Sequence, residues 1–187
     1  MSLRDWENRP PDQAYYVDRG KQLRQGDLFR DIPLGYPMPP DAVDHEEGKR
    51  KFLSGPFEPG FGMLISPTCS MHAQGTDGGY AHPVRMLAPV LSIEHLLERG
   101  AIKEAALKDL QKYDHLANYL YLPPIEDHDF PASLALLYGA ITIHHDYLEE
   151  RRIAQLSAEA AVHLKFKLTA FFGGSLFSHE DFDDDGD

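Results

Sequence analysis

The 187-residue chain is 42% hydrophobic and 26% charged, a composition typical of one folded domain rather than of a disordered chain. It contains no run near the roughly 20 apolar residues that span a membrane, and its first residues lack the apolar core of a signal peptide. A single cysteine excludes an intramolecular disulfide, so we expect a cytoplasmic protein. The net charge of −12 argues against a broad basic surface that coats DNA or RNA, while a local basic groove stays open.

Composition divides the chain into an arm, a body and a tail. Residues 1–22 are polar and contain prolines, which is typical of an arm, and residues 23–177 hold the apolar segments of one domain. Residues 178–187 hold six acids and neither Lys nor Arg, so we expect a solvated, disordered tail, without which the net charge is −6. Aromatic side chains left in water lose about 1.5–3 kcal/mol of burial energy each, so those of the arm are expected to pack on the body or on a second subunit. They are Trp6, Tyr15 and Tyr16.

The first half of the body is predicted to contain two strands separated by a long excursion. Gly26-Asp27 forms a tight turn that leads into a first strand at Leu28. Residues 33–60 are dense in Pro and Gly, which favours a loop over a helix or a central strand. Residues 61–66 form a second strand, apolar enough for burial on both faces, and Pro67 ends it because proline supplies no backbone donor.

A third strand and two helices follow. Residues 84–91 (VRMLAPVL) are predicted to be a strand at a sheet edge or a bulge, because Pro89 removes one ladder donor. Ser92 is then a helix N-cap, and this helix stops at Gly100. Apolar residues spaced 4, 4 and 3 apart from Ile102 onward predict a second helix.

The last third of the body combines two strand segments with a closing helix. Residues 118–122 and 134–145 are predicted strands, the latter kinked or bulged at Gly139. Ser157 is an N-cap for an amphipathic helix that ends at the glycine pair after Phe172. Because strands come first with no regular βαβ alternation, we expect an α+β fold whose strands curl into a small barrel.

Two charged clusters in this part of the chain are predicted to face solvent. The run 126–129 follows two prolines and is expected to be an exposed loop, which would hold a cation only if it folded against another carboxylate. The run 149–152, two Glu followed by two Arg, is expected to be a solvated helical face or a turn.

Four short motifs occur in the order that a known group of barrels shows. A GD turn before the first strand, an S-x-T-C strand end, a YLPP segment and a final aromatic-rich helix resemble uncharacterised bacterial proteins, which are distantly similar to the SH3-like barrel of the MazF/PemK toxin superfamily. The resemblance implies a curled SH3-like β-barrel with inserted helices and a C-terminal amphipathic helix, a bacterial source and a homodimer. The motifs are Gly26–Phe29, Ser66–Cys69, Tyr121–Pro124 and Leu164–Phe172.

Toxins of this superfamily cleave RNA, and the resemblance implies two candidate catalytic residues. Arg50, in the long excursion, is the loose counterpart of their loop Arg, and Ser92 follows the AP-containing strand, where they carry a Ser or Thr. Cleavage at the 2′-OH needs an acid, a base and a cation at the phosphate. The alternative roles are a solvated basic loop for Arg50 and a helix cap for Ser92.

The single cysteine, Cys69, lies where an apolar strand breaks off into a polar loop. It is a candidate nucleophile of a thiol-dependent hydrolase, provided that neighbouring hydroxyls or a histidine favour its thiolate. Thr68 and Ser66 precede it and are further candidate catalytic residues. The alternative is a small, partly buried hydrophobe that fills a strand end.

A metal site is the third possible role of this cysteine. Cys69-x-x-His72 has the spacing of half a zinc site, and His82 or one of the adjacent His144 and His145 would complete it. Adjacent strand residues point to opposite faces, so at most one member of the His144-His145 pair faces such a site.

These features favour a non-catalytic binding or regulatory module on a toxin-like barrel. The alternative is an enzyme, either a divergent endoribonuclease or a Cys69-dependent hydrolase. We expect no cofactor and no membrane contact, and a protein, a nucleic acid or a second copy of the chain as partner. The interpretation depends on residues 61–66 and 84–91 being neighbouring strands of one sheet.

Overall fold

The computed structural model describes residues 15–18, 20, 22–35, 57–67, 83–107 and 118–173. Within these residues the chain forms an α+β fold, with one curled antiparallel sheet of eight strands, two α-helices and several single 3₁₀ turns. The strands are β1 (Tyr16–Val17), β2 (Leu28–Gly35), β3 (Phe57–Leu64), β4 (Val84–Ser92), β5 (Tyr119–Leu122), β6 (Ser133–Leu136), β7 (Ile141–His144) and β8 (Arg152–Leu156). The helices are α1 (Ile93–Glu98) and α2 (Ala158–Phe172).

The sheet is curled, and side-chain hydrogen bonds connect the segments at its two ends. Its strand order is β1-β8-β2-β3-β4-β6-β5, and β7 pairs with the first half of β4. Tyr15 donates its hydroxyl to the carbonyl of Tyr121 at 3.0 Å, and Tyr16 donates to that of Pro123 at 2.8 Å. These bonds join the segment of β1 to that of β5, so the sheet has the form of a half-barrel. Two of the arm aromatics therefore pack on the body, whereas Trp6 lies outside the described residues.

Strands β3 and β4 form the centre of the sheet, which confirms the neighbouring strands predicted from residues 61–66 and 84–91. The consecutive residues Met63, Leu64 and Ile65 are at most 4% exposed, so both faces of this strand are covered. A strand covered on both faces has a near-continuous apolar run instead of an alternating one, and that run is the signal in the sequence.

The prediction that Pro89 places β4 at a sheet edge or a bulge is wrong. β4 is an interior strand, with β3 on one side and both β7 and β6 on the other. β7 pairs with residues 84–87 and β6 with residues 90–92, and the 3₁₀ turn Leu137–Gly139 separates them. The ring of Pro89 faces this break, because a Cβ built on Gly139 would lie 3.4 Å from its Cγ. On the side of β6 and β7, Pro89 has no paired residue, so its missing N–H removes no ladder hydrogen bond on that side.

The Pro- and Gly-rich excursion is shorter than the predicted range 33–60. β2 continues to Gly35 and β3 begins at Phe57, so both ends of the predicted loop are paired strand. Pro33 pairs with Pro59 in this ladder. Two opposed prolines fit an antiparallel pair whose N–H positions point away from the partner strand. Residues 36–56 lie outside the described residues.

Apolar side chains cover both faces of the sheet, and α2 packs on one of them. Ala160, Leu164 and Leu168 of α2 are at most 7% exposed and belong to the larger core cluster. Met63 contributes to this cluster and the next residue, Leu64, to a second one. Alternation along a strand places the two clusters on opposite faces. The position of α2 is thus set by its apolar stripe.

Both helices begin at the serine caps that the sequence predicts. Ser92 Oγ accepts a hydrogen bond from the backbone N–H of His95 at 3.1 Å. Ser157 Oγ accepts one from Ala160 at 3.3 Å. α1 ends just before Gly100, whose φ of +66° favours glycine. In the part of the chain that the structure describes, no helix is long and apolar enough to cross a membrane.

Other segments refine the predicted elements. Of the helix predicted from Ile102, the described residues contain a 3₁₀ turn at Glu104–Ala106 followed by the helical residue Leu107, and residues 108–117 lie outside them. The segment 134–145 forms two strands, β6 and β7, instead of one. The run 126–129 is a largely exposed 3₁₀ turn, which confirms the exposed loop.

Candidate functional site

An apolar groove lies where β3 ends. Its volume is about 250 Å³, and its walls come from the turn before β2, the residues after β3, the start of β4 and the end of α2. None of the lining side chains within the described part of the chain carries a charge, and most are apolar. The lining residues are Gln25, Ile65, Ser66, Pro67, Met86, Leu168, Thr169 and Phe172.

The groove is buried at its base and open at its rim. Ile65 and Leu168 are 4% and 7% exposed, so they belong to the core. Met86 and Phe172 are 40% and 60% exposed, although both are large apolar side chains. Neighbouring apolar side chains left in water mark a surface that gains free energy when a partner covers it.

Ser66, predicted as a candidate catalytic residue, lines this groove and ends the pairing of β3 with β4. Its Oγ accepts a hydrogen bond from the backbone N–H of Met86 at 2.8 Å. The N–H groups of Ile65 and Ser66 both donate to the Met86 carbonyl, at 3.0 and 3.4 Å. The hydroxyl therefore replaces a backbone acceptor of the ladder just before Pro67 breaks it.

The other polar side chains of the groove also bond to the backbone of the protein. Gln25 Nε2 donates to the carbonyl of Ile65 at 2.8 Å. Thr169 Oγ1 donates to the carbonyl of Lys165, one turn earlier in α2, at 2.9 Å. These bonds hold the described walls in place, and the side chains of these walls present an apolar, uncharged surface.

Ser92 lies at the far end of β4 from the groove. It follows Met86 by six residues on the same strand, which corresponds to about 20 Å at the rise of an antiparallel strand. Its hydroxyl oxygen is engaged as the N-cap of α1. The structure therefore does not bring Ser92 and Ser66 together, and a single site containing both is not formed.

The remaining predicted site residues lie outside the described residues: Arg50, Thr68, Cys69, His72 and His82. The chain reaches this part from Pro67, which lines the groove two residues before Cys69. Among the described residues, no group of three or more His, Cys, Asp and Glu side chains is arranged to hold a metal ion. The zinc and thiol hypotheses stay predictions.

The two adjacent histidines at the end of β7 differ strongly in exposure. The side chain of His144 is 56% exposed and that of His145 is 3% exposed. His145 Nδ1 accepts a hydrogen bond from Arg85 Nε at 3.2 Å, and its Nε2 lies 3.5 Å from Glu149 Oε1. Burial and the nearby Arg85 charge lower the pKa of His145, while Glu149 and Asp146 oppose this change. The imidazole is therefore held neutral between a buried cation and a surface carboxylate.

A buried ion pair links the turn before β2 to the start of β8. Arg152 Nη1 lies 2.9 Å from Asp27 Oδ2, and the side chains are 9% and 0% exposed. Arg152 also donates to the carbonyl oxygens of Gln22 and Gly20. Burial raises the pKa of Asp27, and the backbone N–H of Arg24 and the Arg152 guanidinium both oppose this rise. The pair thereby ties three segments of the chain together.

This pair corrects the prediction for the charged run 149–152. The run 149–152 is not solvated throughout, because Arg152 is buried and opens a strand that the sequence analysis missed. Within the predicted arm 1–22, the described strand β1 pairs with β8. The available signal was a charged residue directly before the mostly apolar sequence IAQL. Its burial depends on a carboxylate 125 residues away, which no local pattern reveals.

The groove is likewise a product of distant segments. Gln25, Met86 and Phe172 become neighbours only when the sheet curls and α2 packs on it. Its apolar lining shows no short motif in the sequence. The chain matches no protein-family model and no curated protein.

Proposed function

We propose that this protein is a non-catalytic binding module whose groove accepts an apolar side chain of a partner polypeptide. The observation that carries the proposal is the exposure of Phe172 (60%) and Met86 (40%) at the rim of an uncharged groove with a buried base. Removal of such surface from water is the main favourable term in most protein association. A partner side chain inserted between these two residues would cover both.

The size of the groove favours a side chain over a cofactor. Pockets for drug-sized ligands measure roughly 300–1,000 Å³ and bury most of the ligand. The groove measures about 250 Å³ and is open on one side. Burial of one Leu, Met or Phe contributes about 1.5–3 kcal/mol, which corresponds to a ten- to hundredfold gain in affinity. The module is therefore expected to bind weakly through one main anchor.

The polar groups of the groove support binding over catalysis. The oxygen of Ser66 and the donors of Gln25 and Thr169 bond to backbone groups of the protein itself. General acid–base catalysis requires a titratable group positioned at the substrate. Among the residues that the structure describes, the lining of the groove contains no Asp, Glu, His, Lys, Cys or Tyr side chain.

Peptide titration of the full chain tests the proposal. The probes are short peptides with one central Leu, Phe or Trp, and the same peptides with a central Ser. We expect the apolar peptides to shift the amide resonances of Ile65, Met86 and Phe172, and the Ser peptides to shift none. Phe172→Ala should weaken binding about tenfold, because the anchor loses one wall.

Phe166→Ala provides the matched control for this experiment. Phe166 is 57% exposed on the same helix but does not line the groove. Its removal should leave peptide affinity unchanged. If both variants lost the same affinity, the peptide would bind nonspecifically to exposed apolar side chains of α2 and not to the groove.

The alternative function is enzymatic, and the position of Pro67 supports it. This residue lines the groove, and Cys69 follows it by two residues, so a thiol-dependent hydrolase acting on a groove-bound substrate is the second candidate. Alkylation of Cys69 as a function of pH separates the two functions. Rapid reaction at pH 6–7 would favour the hydrolase, and a thiol that is inert in the folded protein would exclude it. The divergent endoribonuclease is tested by incubation with a mixed RNA pool. Cleavage by the wild type that is lost in Arg50→Ala would support it.

We also propose that the curled sheet is an SH3-like barrel related to the MazF/PemK toxins, and that the protein is a bacterial, cytoplasmic homodimer. The order of the GD turn, the S-x-T-C strand end and the YLPP segment supports the kinship, and the single cysteine supports the compartment. Sedimentation equilibrium tests the homodimer. A mass that stays at 21.1 kDa at all concentrations would contradict it.

A further inference from the structure

We infer that the outer face of α2 is the contact between two copies of this chain, in which the two α2 helices cross in antiparallel orientation about a two-fold axis at Val162. This inference rests on the proposed homodimer and assigns its interface, and it does not depend on what the groove binds. The exposure and the order of the side chains along this one helix carry it.

α2 leaves large apolar side chains in water on the face that points away from the core. Ala160, Leu164 and Leu168 are buried, so the packing of the helix on the sheet uses the opposite face. Val162 and Phe166 are 62% and 57% exposed. Residues four apart lie side by side on a helix, so these two form one apolar stripe. Such a stripe gains free energy when a second surface covers it.

The side chains of this exposed face are self-complementary about Val162. Glu159 lies three residues before it and Lys165 three residues after it, and both are exposed. An antiparallel two-fold axis at Val162 therefore brings the carboxylate of one copy to the level of the ammonium group of the other. The same axis places the small side chain of Ala158 at the level of the large side chain of Phe166. A two-fold interface uses the same patch on both subunits, and this patch fits itself.

Charge disfavours other ways of pairing the same face. In a parallel pair, residues of equal number meet, so Glu159 approaches Glu159 and Lys165 approaches Lys165 of the other copy. An antiparallel axis one turn closer to the end of α2 places Glu159 opposite Phe172. Like charges in contact, or a carboxylate against an apolar ring, cost free energy. Of these three arrangements, the axis at Val162 is the one that pairs opposite charges.

The size of the contact predicts a weak dimer. With the axis at Val162, the helices overlap over residues 158–166, which corresponds to about 14 Å of helix. Stable interfaces bury about 800 Å² per partner, and one fully buried aromatic side chain supplies roughly 150–250 Å². The net charge of −12 on each copy also opposes association. Phe172, at the groove, lies ten residues from the axis and outside the overlap.

Two charge reversals in the full chain test the pairing by sedimentation equilibrium. Lys165→Glu and Glu159→Lys each bring like charges together at both ends of the contact, so each should weaken the dimer about tenfold. An equimolar mixture of the two variants recreates both opposite-charge pairs, and its dimer should be about as tight as that of the wild type. A mixture that associates no better than either variant alone overturns the inference. Single reversals without effect also overturn it.

Phe166→Ala tests the apolar part of the same contact. The dimer loses two phenyl rings at once, so its affinity should fall about a hundredfold. Tyr138→Ala is the control, because Tyr138 is 60% exposed on a 3₁₀ turn outside α2. It should leave the dimer unchanged, and equal losses in the two variants overturn the inference. If Glu159→Lys does not fold, Lys165→Glu and Phe166→Ala still decide.

The outcomes separate this inference from the proposed function. If the wild type dimerises and neither Phe166→Ala nor Lys165→Glu weakens the dimer, the inference fails and the homodimer uses another surface. If the wild type stays monomeric at all concentrations, the inference and the homodimer fail together. Peptide titration of Phe172→Ala tests the groove in either case. Lower thermal stability of Phe166→Ala in a monomeric wild-type background would show that the chain itself covers the stripe, and it overturns the inference too.

Discussion

The positive charges of two buried arginines are accommodated in different ways. Arg152 is balanced by the carboxylate of Asp27 and by two carbonyl oxygens of the N-terminal segment. Arg85, which is 1% exposed, donates to the neutral imidazole of His145 and to the carbonyl of Val84. The first arrangement joins distant parts of the chain through opposite charges. The second places a titratable neutral group beside a cation.

The difference predicts where the fold is sensitive to mutation and where it is sensitive to pH. A buried ion pair is strongly destabilised by the loss of one partner, because the remaining charge has no compensation. A histidine held neutral beside a cation tolerates neutral pH and resists protonation. The region around β8 should therefore respond most to substitutions, and the region around β7 should respond to acid.

The largest effect is expected for Asp27→Ala. The substitution removes the carboxylate that balances the buried Arg152 guanidinium, so we expect a loss of about 3–5 kcal/mol in the free energy of unfolding. Urea denaturation measures it. Asp31→Asn is the matched control, because Asp31 pairs with Arg30 at the exposed surface and asparagine tolerates its φ of +54°. A control loss as large as that of Asp27→Ala would contradict this account.

A smaller loss is expected when both charges are removed together. Replacement of a buried pair by apolar residues is often close to neutral. In Asp27→Leu/Arg152→Met, however, the carbonyls of Gln22 and Gly20 lose their donor, so a net loss of about 1–3 kcal/mol should remain. The double variant should thus be more stable than Asp27→Ala. Equal or lower stability would show that hydrogen bonds to the arm, more than the ion pair, hold the two segments together.

The stability of the wild type should fall as the pH decreases below 6.5. Because the pKa of His145 is lowered in the folded state, the unfolded chain binds a proton that the folded chain resists. The loss grows until the pH reaches the folded pKa, with a slope of at most about 1.4 kcal/mol per pH unit for one proton. His145→Gln should reduce this slope, and His144→Gln, at the exposed neighbour, should not. If stability depended on pH with the same slope in both variants, His145 would not be the cause of the loss of stability in acid.

The smallest effect is expected for Ser66→Ala. It removes the acceptor of the Met86 N–H at the end of the β3–β4 ladder, which should cost about 1 kcal/mol. Thr169→Ala, at an exposed position of α2, should change stability by less than about 0.5 kcal/mol. The Ser66 result gives the value of one neutral hydrogen bond with which the charged pair can be compared. If Ser66→Ala lost as much stability as Asp27→Ala, the buried ion pair would contribute no more than one neutral hydrogen bond.

The sequence predicts those parts of the fold whose causes are local. The apolar run before Pro67, the serine caps and the glycine after α1 each depend on neighbouring residues, and the structure has them in place. The position of β4 in the sheet was predicted wrongly because Pro89 is visible in the local sequence, whereas the gap that accommodates it is formed by distant residues. The break between β6 and β7 that accommodates it lies about 50 residues further along the chain.

The candidate site was harder to predict than the fold for the same reason. Ser66 was singled out because of its neighbour Cys69, and it does line the groove, but the structure gives it a role in strand pairing. The groove needs both Phe172 and Met86 in its walls, and the curl of the sheet together with the packing of α2 places them there. Arg85 and His145 carry no spacing signal, since they meet across two paired strands.

The tyrosine hydrogen bonds at the sheet ends also set an order of events during protein synthesis. Tyr15 and Tyr16 leave the ribosome early, but their acceptors follow 106 and 107 residues later. Tyr16 must in addition wait for Leu156, its partner in β8. A nascent chain that ends before Leu156 therefore exposes unpaired strand edges, and this is the stage at which a chaperone would protect it from aggregation.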